Sequence, residues 1–248
     1  MKKVIIIPAR YDSTRLGGKP LIKILGKPVI EHVYQRCQKA ENINEIYVAT
    51  DDERIESFCK SINLPSIMTS KKHKSGTDRV SEAAEILNLG EEDIIINVQG
   101  DQPLVHSNSI EQVIIPFLEG SSALMSTLAY KIKNKNEITD PKDVKVVFSK
   151  KGKALYFSRA TIPYPRDKDT DYYYKHLGLY AYKKSFLKTF TSLPTSDLEE
   201  IEKLEQLRAL EYGYDIDIVI TEHDSPEVDL ESDIEKIETL LKKNNFDN

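Results

Sequence analysis

The sequence predicts a doubly wound α/β fold built on a mainly parallel sheet. Short runs rich in β-branched residues and bounded by loop residues, such as residues 3–8, are typical of buried central strands. Segments with helical spacing of apolar residues alternate with these runs as far as residue 117. This alternation is the pattern of βαβ units, which place their ligands beyond the carboxyl ends of the strands.

The elements of this first part are joined by short connections. Pro28 stands in the first turn of the first helix, where its missing N–H is tolerated. Cys37 and Cys59 lie in helical patterns without metal-binding spacing, so we expect buried free thiols. In chain order, the expected elements are strand 3–8, helix 28–39, strand 45–50, helix 53–61, strand 66–68, helix 78–87, strand 93–98 and helix 107–117.

The regular alternation fails after about residue 120. Strand patterns at 123–132, 144–148, 154–158 and 175–182 follow without a full helix between each pair. We therefore expect one domain over residues 1–248, with antiparallel additions or a smaller β-rich lobe within about 120–195. A helix over 197–212, a strand over 215–221 and a terminal helix from about 232 complete the chain.

The charge distribution limits the partners. A net charge of −5 argues against bulk nucleic-acid binding, which needs a positive face. Positive charge clusters at Arg10, Arg15 and Lys19 and again over residues 71–79, which suits a small polyanion. No run approaches the roughly 20 apolar residues of a membrane span, and residues 4–7 are too short for a signal peptide. We expect a cytoplasmic protein with no membrane partner.

Residues 8–21 form a candidate phosphate loop directly after the first strand. They read Pro-Ala-Arg-Tyr-Asp-Ser-Thr-Arg-Leu-Gly-Gly-Lys-Pro-Leu and combine three cations, two hydroxyls and two glycines. Glycine lets backbone N–H groups approach a phosphate closely. The run matches neither the P-loop nor the dinucleotide fingerprint. A solvated basic loop is the alternative, but the position at the switch edge of the sheet favours binding.

Two further segments combine polar side chains with an element end. Residues 75–79, Ser-Gly-Thr-Asp-Arg, precede a helix and form either an ordinary cap or a site for a polar ligand. Asp101 follows an apolar strand, where a carboxylate can hold Mg²⁺ beside the phosphate loop or form a turn. Asp229 precedes the terminal helix and is, from local sequence, equally a helix cap or a second metal ligand.

These motifs, in this order, resemble the CMP-Kdo synthetases, the 3-deoxy-manno-octulosonate cytidylyltransferases. The resemblance runs from Ile7 to about Asp233 and departs from the family at Gly17, where proline is usual. It implies a nucleotidyltransferase-type fold, a homodimer, Mg²⁺ as cofactor, and CTP and a Kdo-type sugar acid as substrates. The implied nucleotide-binding residues are Arg10, Ser13, Arg15, Lys19, Ser75, Gly76, Asp78, Arg79 and Gln99, and the implied metal ligands are Asp101 and Asp229.

The second half carries candidate sugar-binding residues. On a helix over 197–212, Glu205 and Arg208 would both point to the buried side and could form a structural pair. A histidine on a strand, such as His176, is more often structural, although it could donate a hydrogen bond to an anionic sugar. The family resemblance implies that His176, Glu205 and Gln206 contact the sugar, and Arg159 is a candidate for its carboxylate.

The expected reaction is in-line attack of the sugar's anomeric hydroxyl on the α-phosphorus of CTP. Mg²⁺ on Asp101 and Asp229 would neutralise phosphate charge, while Arg10, Arg15 and Lys19 would stabilise the departing pyrophosphate. Gln102, a further candidate sugar-binding residue, stands where the family usually has Glu, as in a subgroup that uses 8-amino-8-deoxy-Kdo, which favours that sugar over Kdo. A sialic-acid cytidylyltransferase and a non-catalytic nucleotide-binding regulator remain the alternatives.

Overall fold

A computed structural model describes residues 1–12, 16–118, 122–167 and 170–243. Its strands are β1 Lys3–Ala9, β2 Lys23–Ile24, β3 Lys27–Pro28, β4 Glu45–Thr50, β5 Ser66–Met68, β6 Ile94–Asn97, β7 Met125–Lys131, β8 Lys145–Phe148, β9 Ala154–Ser158, β10 Tyr174–Lys183 and β11 Asp217–Thr221. Its α-helices are α1 Val29–Cys37, α2 Glu53–Ser61, α3 Gly76–Ile86, α4 Ser107–Val113, α5 Ile115–Leu118, α6 Asn136–Thr139, α7 Lys184–Ser192, α8 Asp197–Glu202, α9 Leu207–Glu211 and α10 Glu231–Lys243. A 3₁₀ turn covers Lys19–Leu21.

The main sheet has the strand order β11-β7-β10-β6-β1-β4-β5. Strand β1 pairs in parallel with β4 and β6, and β11 pairs in parallel with β7. Strand β10 runs antiparallel to both of its neighbours, β6 and β7. The α/β fold with a mainly parallel sheet is therefore confirmed, and the antiparallel addition is β10, inserted inside the sheet. Strands β8 and β9 pair antiparallel off this path, with β8 joined to β10.

Helices cover both faces of the sheet, as a doubly wound fold requires. Alternate residues of β1 enter opposite cores: Ile5 and Ile7 pack on one face, Val4 and Ile6 on the other. The first core receives side chains from α1, α2, α4 and α10, and the second receives side chains from α3, α7 and α9. Both cysteines are buried free thiols, as expected, and burial raises the pKa of Cys59 to about 11.

Two predicted helices are interrupted. The segment 107–117 divides at Ile114 into α4 and α5, where Pro116 cannot donate a helical hydrogen bond. The continuous helix over 197–212 was wrong, because α8 ends at Lys203 in a left-handed conformation and α9 begins at Leu207. Ile201 is consequently 76% exposed instead of lying on a buried face. No helix within the described ranges is long and apolar enough to cross a membrane.

Candidate active site

A cavity of about 230 Å³ opens at the carboxyl ends of β1 and β6. Three stretches form it: the end of β1 with the 3₁₀ turn, the segment that leads into α3, and the turn after β6. The sheet order places β1 directly beside β6, so these distant stretches meet at one edge. The predicted nucleotide-site residues that line the cavity are Arg10, Lys19, Ser75, Gly76, Arg79, Gln99 and Asp101. Ser13 and Arg15 lie outside the described residues.

The N-terminus of α3 is one wall of this first cavity. Ser75 Oγ accepts a hydrogen bond from Asp78 N at 3.1 Å, and Asp78 Oδ2 accepts one from Ser75 N at 3.3 Å. This capping box occupies the Asp78 carboxylate, and Asp78 is not among the lining residues. At Gly76 a Cβ would lie 3.4 Å from the Pro8 ring, so glycine keeps the wall open. The ordinary cap interpretation therefore applies to Asp78, while Ser75 and Gly76 face the cavity.

Arg79 is held by the protein itself. Only 3% of it is exposed, and its guanidinium pairs with Asp51 at 2.9 Å and donates to Thr69 Oγ1. These contacts join α3 to the segments that follow β4 and β5. A buried cation needs such partners, so Arg79 has a structural role in addition to lining the cavity.

Lys19 joins the two candidate metal ligands. Its Nζ lies 2.9 Å from Asp101 Oδ2 and 3.0 Å from Asp229 Oδ1. Burial acts to lower the pKa of Lys19, but Asp101 and Asp229 outweigh it and raise that pKa above its ordinary value. The backbone connects the same two segments, because Val228 N donates to Asp101 O at 2.9 Å. The sequence-predicted pairing of Asp101 with Asp229 is thus present in the structure.

The donor set around Lys19 is suited to a hard divalent cation. Asp101 Oδ1 is buried and has no hydrogen-bond partner within the described residues, which leaves a carboxylate oxygen available. One or two carboxylates are the usual protein contribution to a magnesium site beside phosphates. Asp233 accepts from the N–H groups of Asp229 and Leu230 and so fills the helix-capping role at the start of α10.

Gly100 allows the turn after β6 to pass close to β1. A Cβ on Gly100 would lie 2.7 Å from the carbonyl oxygen of Pro8, closer than real Cβ atoms approach backbone. Any other residue would push the two strand ends apart, and Asp101 is the next residue. The glycine therefore fixes the position of the Asp101 carboxylate relative to the first cavity.

A larger cavity of about 680 Å³ adjoins the first. Gln99 lines the first cavity and donates to the carbonyl oxygen of Gly178, which lines the second, at 3.1 Å. Asp229 lines the second cavity, while its partners Lys19 and Asp101 line the first. The Lys19 cluster, comprising Lys19, Asp101 and Asp229, therefore stands at the junction. The predicted sugar-site residues that line the second cavity are Arg159, His176, Glu205 and Gln206. Gln102, also expected at the sugar, is fully buried and lines neither cavity.

His176 is held as a neutral ring. Burial lowers its pKa to about 3. Its Nε2 lies 3.0 Å from Thr127 Oγ1, and that hydroxyl also lies within hydrogen-bond distance of two carbonyl oxygens, of Leu177 and Leu179. The hydroxyl proton goes to a carbonyl, so Thr127 Oγ1 accepts from Nε2–H of His176 and Nδ1 is left as an acceptor. His176 can thus accept a hydrogen bond from a ligand hydroxyl, which is the opposite of the donor role expected from the sequence.

Glu205 and Gln206 lie in the turn between α8 and α9. Glu205 accepts a hydrogen bond from the Thr77 hydroxyl, and burial raises its pKa. The expected Glu205–Arg208 contact exists at 3.7 Å, but the main partner of Arg208 is Glu199, on the preceding helix. Gln206 is 4% exposed, and its Nε2 has no partner in the described part of the chain. An unpaired buried amide at a cavity wall is a ready hydrogen-bond donor for a ligand.

Arg159 forms hydrogen bonds to the surrounding backbone. Its guanidinium donates to the carbonyl oxygens of Glu202 at 2.7 Å, Pro141 at 2.9 Å and Lys203 at 3.4 Å. These bonds anchor the end of β9 to the turn after α8. Two of the five N–H groups of a guanidinium remain for a ligand, so Arg159 can contact a carboxylate in its present position.

Two features of the second cavity were missed in the sequence analysis. Lys175 is 7% exposed and lies 2.9 Å from both Glu137 and Asp224, and these carboxylates outweigh burial and raise its pKa. A lysine on the strand pattern of β10 was the available signal. The second is Glu227, which accepts a hydrogen bond from Gln102 Nε2 at 3.1 Å and lines the cavity. Partial loss of water around its carboxylate raises the pKa of Glu227 to about 7, with Asp101 acting in the same direction.

The fold and the junction site define a nucleotidyltransferase-type protein, and comparison with known proteins specifies its family. The family model described as cytidylyltransferase matches residues 4–218. The chain is 56% identical to 3-deoxy-manno-octulosonate cytidylyltransferase 2 of Hydrogenovibrio crunogenus over 97% of its length and 98% of that protein. It is 51% identical to 8-amino-3,8-dideoxy-manno-octulosonate cytidylyltransferase of Shewanella amazonensis, over 98% of its length and 99% of that protein.

The structural comparison agrees with the sequence comparison. A solved structure of CMP:2-keto-3-deoxy-manno-octonic acid synthetase complexed with CTP superposes with a TM-score of 0.92 at 40% identity. The match covers 98% of this chain and 99% of the other. The chain belongs to the cytidylyltransferase family, which confirms the resemblance read from its motifs.

Proposed function

We propose that this protein transfers CMP from CTP to a Kdo-type sugar acid and releases pyrophosphate. The observation that carries the proposal is the position of the Lys19 cluster at the junction of two cavities. One cavity has the cationic and backbone groups that a triphosphate needs, and the other has the polar groups that a sugar needs. A reacting phosphorus at this junction would be reachable from both sides.

The first cavity supplies the phosphate contacts. Arg10 is exposed at its mouth, and Lys19 lies deeper, beside the carboxylates. The backbone N–H groups at the start of α3 and the Ser75 hydroxyl add uncharged donors. In the reaction these groups hold the β- and γ-phosphates in line with the attacking oxygen and stabilise the negative charge of the leaving pyrophosphate.

Asp101 and Asp229 are the proposed magnesium ligands. When bound, Mg²⁺ would neutralise charge on the phosphates. The Oδ1 of Asp101, which has no partner in the described part of the chain, supports this assignment, as does the attraction of both carboxylates to one cation. Lys19 supplies a protein cation at the same point and keeps the two carboxylates together.

The second cavity supplies the sugar contacts. Gln206 Nε2 donates, and His176 Nδ1 and the Glu205 carboxylate accept, so sugar hydroxyls can be bound through both of their hydrogen-bonding roles. The anomeric oxygen forms a bond to the α-phosphorus while the bond from that phosphorus to the bridging oxygen breaks. The hydroxyl proton passes to solvent. We also propose that the enzyme works in the cytoplasm, where CTP is made, and as a homodimer, on the resemblance to its family.

Pyrophosphate release tests the proposed function. Wild-type protein with CTP, Mg²⁺ and either Kdo or 8-amino-Kdo should release pyrophosphate, and EDTA should abolish the release. Asp101→Asn should lower the rate at least roughly a hundredfold, while Asp215→Asn should not, because the Asp215 side chain is 75% exposed. Near-normal turnover of Asp101→Asn would contradict the assignment. CTP binding without turnover of either sugar would favour another sugar acid or a regulator.

A further inference from the structure

Glu227 is an acidic group that the proposed chemistry does not use. Its exposed side chain lines the second cavity, and Glu227 precedes Asp229 by two positions in the sequence. Within the described ranges, its carboxylate receives one hydrogen bond, from Gln102, and forms no ion pair. Lys19, a cation close enough to interact with Glu227, is already shared by two other carboxylates. Glu227 therefore presents an acceptor, without a protein cation of its own, to whatever enters the cavity.

Gln102 orients this carboxylate. It is fully buried, and its Nε2 donates to Glu227 Oε1 at 3.1 Å. An ionised carboxylate at position 102 could not donate this bond and would place two negative charges in contact. The neutral amide at position 102 thus allows an ionised carboxylate at position 227 without charge repulsion between the two side chains.

Gly178 leaves room in front of the pair. A Cβ there would lie 3.6 Å from Glu227 Oε1 and 3.7 Å from Gln102 Nε2. These are ordinary van der Waals distances, and both Gly178 and Glu227 line the second cavity. A ligand group can therefore approach the carboxylate from the Gly178 side.

The charge of the second cavity indicates what kind of ligand group Glu227 would bind. Acidic residues outnumber Lys and Arg among the lining residues, and Lys175 is surrounded by three carboxylates. A sugar acid that carries only its own carboxylate would be disfavoured by this excess. A sugar acid that also carries an ammonium group would meet an acidic partner that pairs with no other cation among the residues that the structure describes.

We propose that Glu227, oriented by Gln102, binds a primary ammonium group on the sugar acid, so that the enzyme selects an amino-bearing Kdo-type sugar over its hydroxyl counterpart. This inference rests on the proposed function for the identity of the sugar acid. In it, Glu227 contacts the substrate and Gln102 is a positioning residue.

The test compares 8-amino-Kdo with Kdo in two independent measurements. The first is kcat/KM for pyrophosphate release with CTP and Mg²⁺. The second is the Kd of each sugar by calorimetry, with Mg²⁺ and a CTP analogue whose α,β-bridging oxygen is replaced by methylene, so that no turnover occurs. The variants are Glu227→Gln, which changes one exposed group without changing its size, and Gln102→Leu, which removes the donor. Glu222→Gln is the control, because its side chain is 84% exposed and lines neither cavity.

We expect wild type to prefer the amino sugar in both measurements. Glu227→Gln should lower kcat/KM and raise Kd for the amino sugar roughly tenfold to a hundredfold, the usual value of a charge-assisted contact. The same two quantities for Kdo should change less than about threefold. Gln102→Leu should weaken the amino sugar less than Glu227→Gln does, and Glu222→Gln should match wild type.

An unchanged ratio of the two sugars in Glu227→Gln, or a wild-type preference for Kdo, would overturn the inference while leaving the proposed function intact. If neither sugar is turned over, the proposed function fails, and the calorimetric ratio alone decides the role of Glu227. Absence of binding of both sugars would overturn both statements.

Discussion

Lys19 Nζ bridges Asp101 and Asp229, at 2.9 and 3.0 Å, and so connects three segments that are far apart in the sequence. Asp101 follows β6, Lys19 begins the 3₁₀ turn after β1, and Asp229 precedes α10. The arrangement pairs the lysine proposed to bind phosphate with the residues proposed to hold the metal. Each member of the Lys19 cluster therefore affects the positions of the other two.

Lys19→Met should lower kcat for pyrophosphate release by roughly a hundredfold or more, because a cation is removed from the leaving group and the two carboxylates lose their common partner. Steady-state kinetics at saturating Mg²⁺ would measure this loss. Lys23→Met is the matched control, since Lys23 is an exposed lysine four residues later. A Lys19→Met enzyme that keeps a third of the wild-type rate would contradict the role assigned to Lys19.

Gly100→Ala should destabilise the fold by about 1–3 kcal/mol, because the added Cβ must move away from the Pro8 carbonyl oxygen. For a chain of this size, that corresponds to a fall in Tm of about 2–10 °C by calorimetry. Gly17→Ala is the control, since a Cβ there meets nothing within 4 Å and the backbone φ is not positive. Equal melting temperatures of the two variants would show that the strand ends relax without cost.

The Arg79–Asp51 pair should behave as a buried ion pair in a double-mutant cycle. Arg79→Met leaves Asp51 without its guanidinium and should lower the free energy of unfolding by about 3 kcal/mol. Asp51→Asn in the same chain should recover part of this loss, because the unpaired charge is then removed. Urea denaturation of the four proteins measures the coupling. Strictly additive effects would mean that the pair contributes nothing beyond its separate residues.

The contribution of His176 to the stability of the protein should fall as the pH falls below about 6.5, the ordinary pKa of histidine. The folded-state pKa of His176 is lowered to about 3 by burial. Between these values the unfolded chain takes up a proton on this residue that the folded protein does not, so this contribution is present above pH 6.5 and decreases on acidification. From pH 7 to pH 5 this contributes about 1–2 kcal/mol.

His176→Gln should remove this contribution, which thermal denaturation from pH 5 to pH 8 would measure. His106, whose pKa is lowered by burial and by His223, contributes in the same direction in both proteins, and Glu227, whose pKa is raised to about 7, contributes in the opposite direction in both. The informative quantity is therefore the difference in slope between wild type and His176→Gln. Parallel slopes would indicate that His176 takes up a proton in the folded state.

Local sequence determined the elements and much of the first cavity. The spacing of apolar residues placed β4, β5 and α2 at their observed bounds, because periodicity depends on neighbours within a few residues. Parallel strands bring their carboxyl ends to one edge, so the segments after β1 and β6 and before α3 could be expected to meet. The positions of Asp101 and Lys19 at this edge of the sheet could be predicted in the same way.

Tertiary structure decided the rest, since its contacts join residues that no local pattern relates. The antiparallel course of β10 between β6 and β7 brought Gly178 beside Gln99 and Gln102. The break at Lys203 replaced one expected helix with two and gave Arg208 its partner Glu199. The contact of Gln102 with Glu227, 125 residues later, exists because the chain before α10 returns to the Asp101 turn. Sequence thus specified which groups were available, and long-range packing specified which of them meet.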